Sequence, residues 1–104
     1  METKLNSQQF GLKGEVFTQI RRIFSQFKEI DTVILYGSRA KGTYHNGSDI
    51  DLNLKGSELT DFIIGKLEEE LDDLLLPYTF DISSWDKIDN PDLRAHIERV
   101  GIVI

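Results

Sequence analysis

No cysteine occurs in this sequence, so disulfides and thiolate metal sites are both excluded. Proline stands only at Pro77 and Pro91, and neither an internal repeat nor a low-complexity linker divides the chain. No run approaches the roughly 20 consecutive apolar residues that a membrane-spanning helix needs, so no membrane partner is expected. The opening M-E-T-K-L-N-S-Q-Q-F holds no apolar stretch of the kind a secretory signal carries, which points to a cytoplasmic protein. Basic clusters are missing too. Twelve basic residues face 18 acidic ones for a net charge of −6, and the pairs Arg21-Arg22 and Arg39/Lys41 are separated by apolar sequence. A face that tracks a phosphate backbone needs clustered Lys and Arg, so no direct nucleic-acid partner is expected.

What is present suffices for a core. Hydrophobic residues make up 39% of the 104, ten aromatics among them, enough for one compact domain over 1–104 and too little chain for two. Leu12, Val16, Phe17, Ile20, Ile23, Phe24 and Phe27 recur at helical spacing, and predict an amphipathic helix over 12–27. T-V-I-L-Y, 32–36, reads as a buried strand, which Gly37-Ser38 breaks; 39–41 form a brief helical turn before Gly42. Over 49–54 Ile50, Leu52 and Leu54 alternate with Asp49, Asp51 and Asn53. A second helix is predicted over 60–75, with Ile63, Leu67, Leu71, Leu74 and Leu75 as its apolar stripe and the acidic run 68–73 largely turned away. Alternation returns over 78–83, and Asn90-Pro91 is a helix start: a capping residue with proline at the first helical position. That helix reaches Arg99 or Val100, and Gly101 releases a short apolar tail. The order implies an α+β (α/β) domain with a mixed β-sheet flanked by helices.

Chemistry concentrates in Y-G-S-R-A-K-G-T-Y-H-N-G-S-D-I-D-L-N-L, 36–54. Residues i and i+2 of a strand point the same way, so Asp49 and Asp51 present two carboxylates side by side. Like charges on one strand need something to offset them, and a hard divalent cation does so. Asp81, on the polar side of the next strand, would complete a three-carboxylate, two-metal site of the kind phosphoryl or nucleotidyl transfer uses. Gly37-Ser38, directly after a buried strand, leaves backbone N–H groups free and lets an anion approach, while the Ser38 hydroxyl can donate to a phosphate oxygen. Arg39 and Lys41 flank that turn and are candidates for the outer phosphates of a triphosphate.

G-S-R-A-K-G followed by S-D-I-D-L resembles the signature of the DNA polymerase β-like nucleotidyltransferase superfamily. The short length resembles its minimal members, the MNT-type antitoxin partners of HEPN-domain proteins in toxin–antitoxin pairs. The resemblance implies that Gly37 and Ser38 bind nucleotide, that Asp49 and Asp51 hold Mg²⁺, and that Asp81 is the third metal-binding and catalytic acid. It also implies ATP as donor, AMP as the group moved, and a hydroxyl of a HEPN-domain partner protein as acceptor. The chain lacks the extra domains with which larger members choose an acceptor, which favours a partner protein in that role.

Plainer readings stand beside these. The run 68–73 is a solvated helix face, Arg94 and Arg99 are surface residues, and Trp85 covers a sheet edge or a partner surface. His45 and His96 receive no role. A non-catalytic antitoxin that neutralises its partner by covering it is the alternative from a different class, and transfer to a small molecule is a third.

Overall fold

The computed structural model describes residues 7–104; residues 1–6, part of the stretch read above for a signal segment, lie outside them. Four helices and four strands follow a 3-10 turn at Ser7–Phe10: α1 Gly14–Ser25, β1 Thr32–Tyr36, α2 Gly37–Lys41, β2 Ile50–Lys55, α3 Asp61–Asp72, β3 Phe80–Ser84, α4 Pro91–Val100 and β4 Ile102–Val103. A second 3-10 turn, Trp85–Lys87, lies between β3 and α4.

The strands form one mixed sheet in the order β3-β2-β1-β4. β1 runs antiparallel to both neighbours, and β2 runs parallel to β3. A parallel pair cannot be joined by a hairpin, and α3 is the crossover that carries the chain from β2 back to β3. β1 is central and covered on both faces, which is why Val33, Ile34, Leu35 and Tyr36 are all buried rather than alternating. Val33 and Leu35 of β1, with Ile50, Leu52 and Leu54 of β2, meet the buried stripes of α1 and α3 and the buried Phe10 and Leu12 in the larger core. On the opposite face Ile34 and Tyr36 meet Ile88 and Ile97, with Trp85, Leu93 and Val100 around them.

The second face is covered over β1 but open at one end of β2 and β3, and this grading makes the site. Asn53 is completely buried, Asp51 two residues earlier is half-buried, and Asp49 ahead of the strand is exposed. Asn53 lies at the covered end, where its Nδ2 donates to Ser83 Oγ at 3.0 Å and its Oδ1 has no partner among the described residues.

Several elements differ from expectation. α3 stops at Asp72; Leu75 takes a left-handed backbone, φ 54°, and is exposed, so the apolar stripe is Leu67 and Leu71 with Ile63, Ile64 and Leu74 half-buried beside them. The C-terminal tail is a strand: Ile102 and Val103 pair with Leu35 and Ile34, and the Ile104 N–H donates to the Val33 carbonyl. Arg94 is half-buried, not a surface residue. Its Nη1 donates to the carbonyls of Trp85 and Ile88, and its guanidinium lies 4.2 Å from the Trp85 ring centroid. With Lys55 Nζ 4.6 Å from that centroid, Trp85 closes the covered end of the face. The acidic run 68–73 is exposed apart from Leu71, as expected of a solvated face.

Candidate active site

Three residues in one row across the sheet, Tyr36, Asp51 and Asp81, define the uncovered end of the second face. Tyr36 pairs with Asp51 across the antiparallel β1–β2 ladder, and Asp51 with Asp81 across the parallel β2–β3 ladder. Residues in register on neighbouring strands present side chains to the same face, so the row brings two carboxylates and a phenol together. Asp81 is exposed, Asp51 half-buried and Tyr36 buried.

The Asp51 carboxyl is pushed above the ordinary carboxylate range, first by burial and then by the charges of Asp81 and Asp49, while Arg39 pulls it the other way. Tyr36 is raised as well: burial is the main cause, the neighbouring Ser83 hydroxyl opposes it, and the charges of Asp81 and Asp51 add to it. Two carboxylates thus act on a third. The donor set, all carboxylate with neither thiolate nor imidazole, suits a hard divalent cation, whose charge would offset this repulsion. Among the described residues, however, no three carboxylate or imidazole groups gather closely enough to hold one ion as the side chains stand. The three aspartates are thus related by strand register and by charge, and do not converge as the sequence led one to expect.

The turn before the carboxylates is built for close approach. Gly37 has φ +72°, and a β-carbon there would overlap Oδ2 of Asp51, so glycine is required both by backbone conformation and by the carboxylate beside it. Gly42 ends α2 in the left-handed conformation, φ 82°, with its N–H on the Ser38 carbonyl. Ser38 is half-buried and Lys41 exposed. The following loop holds itself: the His45 N–H donates to Ser48 Oγ at 2.9 Å, and His45 Nδ1 accepts from the Gly47 N–H at 3.2 Å. His45 is therefore a turn residue.

Arg39 departs from the expectation that it meets phosphate. It is 1% exposed, and its guanidinium is taken up by the carbonyls of Ser48, Phe10 and Gly11. Its position on the inward side of a single helical turn was not visible in a basic residue beside another basic residue. Tyr36 is the site residue that sequence reasoning passed over. Its signal was available: the last residue of a strand that runs into Gly37-Ser38 must face the strand carrying the aspartates. His96, given no role above, stands edge-on to the Tyr36 ring, centroids 6.1 Å apart at 79°.

Residues 18–104 match the family described as Polymerase beta, Nucleotidyltransferase. The chain is 32% identical over 97 residues to the Haemophilus influenzae protein named "Probable protein adenylyltransferase MntA", covering 92% of this chain and 84% of that one. Its fold is similar to a chain in a crystal structure of a toxin–antitoxin with AMP-PNP, at TM-score 0.66 and 20% identity over 88% of this chain and 72% of that one. It is also similar to a chain in the complex of tri-AMPylated Shewanella oneidensis HEPN toxin with MNT antitoxin, at TM-score 0.59 and 15% identity over 85% of this chain and 70% of that one. With the family matched from α1 to the last strand, this chain belongs to the polymerase β nucleotidyltransferase family.

Proposed function

We propose that the chain, as one nucleotidyltransferase domain over 1–104, moves AMP from ATP onto a hydroxyl of a partner protein and is the antitoxin of a HEPN/MNT pair. The observation that carries this reading is the Tyr36–Asp51–Asp81 row opening beside Gly37, with Asp49 on the adjoining loop. The kinship to an adenylyltransferase supports AMP as the transferred group. Asp49 and Asp81 are both exposed, so the carboxylates are open to a large acceptor. No helix among the described residues is long and apolar enough to cross a membrane, and the proposed reaction needs ATP, which suits the cytoplasm.

In this reaction the acceptor oxygen forms a bond to the α-phosphorus, the bond to the bridging oxygen breaks, and pyrophosphate leaves. Asp49, Asp51 and Asp81 would hold Mg²⁺, which supplies charge neutralisation at the phosphates and favours the ionised acceptor hydroxyl. Gly37 gives the Asp51 carboxylate room against the turn, and Ser38, next in the turn, donates to a phosphate oxygen. Lys41, exposed at the end of α2, is the cation available to the outer phosphates. Asp81, at the open edge of the row, accepts the proton of the acceptor hydroxyl.

The test is transfer from α-labelled ATP with Mg²⁺ in the presence of the protein that co-purifies from the native host, with Asp49→Asn in parallel. Label on that protein, lost in the variant, is the expected result. A stable unlabelled complex across all four nucleotides would replace this reading with neutralisation by binding alone, and a labelled small product would point to a small-molecule acceptor.

A further inference from the structure

Arg39 is fully buried, yet among the described residues no carboxylate forms an ion pair with it. A buried charge must be compensated, and here backbone carbonyls and aromatic faces do so, with the more distant charge of Asp51 adding to them. Nε and Nη2 both donate to the Ser48 carbonyl, at 3.2 and 2.9 Å, and Nη1 donates to the carbonyls of Phe10 at 2.8 Å and Gly11 at 3.3 Å. The rings of Tyr44 and Tyr78 lie with centroids 5.4 and 5.2 Å from the guanidinium carbon. Gly11 has φ +72°, and a β-carbon on it would overlap the Tyr44 ring, so the N-terminal turn is seated tightly on this assembly.

The two ends of this grip differ in what they control. The Ser48 carbonyl belongs to the same planar peptide unit as the nitrogen and Cα of Asp49, so holding it fixes where Asp49 begins. Asp49 needs such a hold, because it precedes β2 and the first bond onto β3's side is made by Ile50, to the Thr79 carbonyl. The other end grips a turn 28 and 29 residues away in sequence. A planar guanidinium spans both at fixed geometry, whereas a lysine ammonium would reach one.

We propose that Arg39 is the positioning residue of the carboxylate site, coupling the N-terminal turn at Phe10–Gly11 to the placement of Asp49. The inference rests on the reading of the carboxylates as a divalent-cation site. It assigns the N-terminal turn, which carries no chemistry of its own, a part in metal binding.

The test titrates the full chain with Mn²⁺ and reads free Mn²⁺ by its electron paramagnetic resonance signal, without nucleotide. Folded Arg39→Lys should bind Mn²⁺ about 10-fold more weakly than wild type, the scale of losing a residue that orients a ligand. Unchanged affinity in folded Arg39→Lys overturns the proposal. No Mn²⁺ binding by the wild type overturns the metal-site reading itself. Hydrogen exchange on the wild type decides the matter if Arg39→Lys does not fold: Mn²⁺ should slow exchange at 48–50 and at 10–12 together. Protection confined to 48–50 would show that the N-terminal turn is uncoupled, and would overturn the proposal.

Discussion

Gly37 and Asp51 occupy one space: the α-carbon of Gly37 faces the Asp51 carboxylate so closely that any β-carbon would displace it. The relationship joins the turn to the carboxylate row and makes Gly37→Ala informative. Alanine at φ +72° costs about 1–2 kcal/mol in backbone strain alone. The expected fall in Tm is roughly 4–16 °C. Displacement of Asp51 should cost more in function than strain costs in stability, with label transfer down about 100-fold. Transfer at the wild-type rate in the variant would mean that Asp51 need not stand where it does.

Asp51 also makes metal-free stability depend on pH. Its carboxyl is raised in the folded state by burial and by Asp81 and Asp49, so the folded chain binds the proton more tightly than the unfolded chain. The penalty is therefore absent below the unfolded carboxylate pKa, grows as pH rises through the folded one, and is complete above it. Asp51→Asn removes it. In the presence of chelator the variant should melt above wild type at pH 7, and the difference should shrink as pH falls into the ordinary carboxylate range. Thermal melts at several pH values check this; a difference that widens toward acid would reverse the sign and remove the argument.

The sheet's first two strands, the helix after Asn90-Pro91 and the Gly37-Ser38/Asp49/Asp51 grouping were all legible because each is encoded locally. Periodicity, a cap and a strand–turn–strand pattern lie within a dozen residues of one another. What was illegible depends on distant partners. Ile102 and Val103 are too short to display a period, and only the free edge of β1 makes them a strand. Arg39 looks like a surface base until carbonyls 28 and 29 residues upstream are brought to it. Leu75 continues an apolar stripe on paper, but the helix has already ended in a turn. Asp81 was legible as an acid on the polar side of its strand, but its pairing with Asp51 rests on the parallel register that α3 creates.

Stability and chemistry should separate at α4. Asn90 caps that helix, its Oδ1 accepting from the Asp92 N–H at 2.9 Å and the Leu93 N–H at 3.4 Å. Asn90→Ala should cost about 1 kcal/mol. That corresponds to a Tm lowered by roughly 4–8 °C. Asn90 is exposed and lies outside the Tyr36–Asp51–Asp81 row, so transfer assayed well below the melt should stay at the wild-type rate. Lost transfer in a folded Asn90→Ala would mean that α4 takes part in the reaction.

Cation binding should invert a stability order. Without metal, Asp49→Asn removes one of the charges acting on Asp51 and should melt at or above wild type. Wild type should then gain about 2.7 kcal/mol when Mg²⁺ reaches 100 times its Kd, while Asp49→Asn gains far less for having lost a ligand. The two melting curves should therefore cross as Mg²⁺ is added and return on chelation, with label transfer following the wild-type curve. The crossing matters more than either shift: a cation adsorbed elsewhere on this acidic surface would raise both proteins alike. Parallel curves would locate the cation away from Asp49, and with it the chemistry.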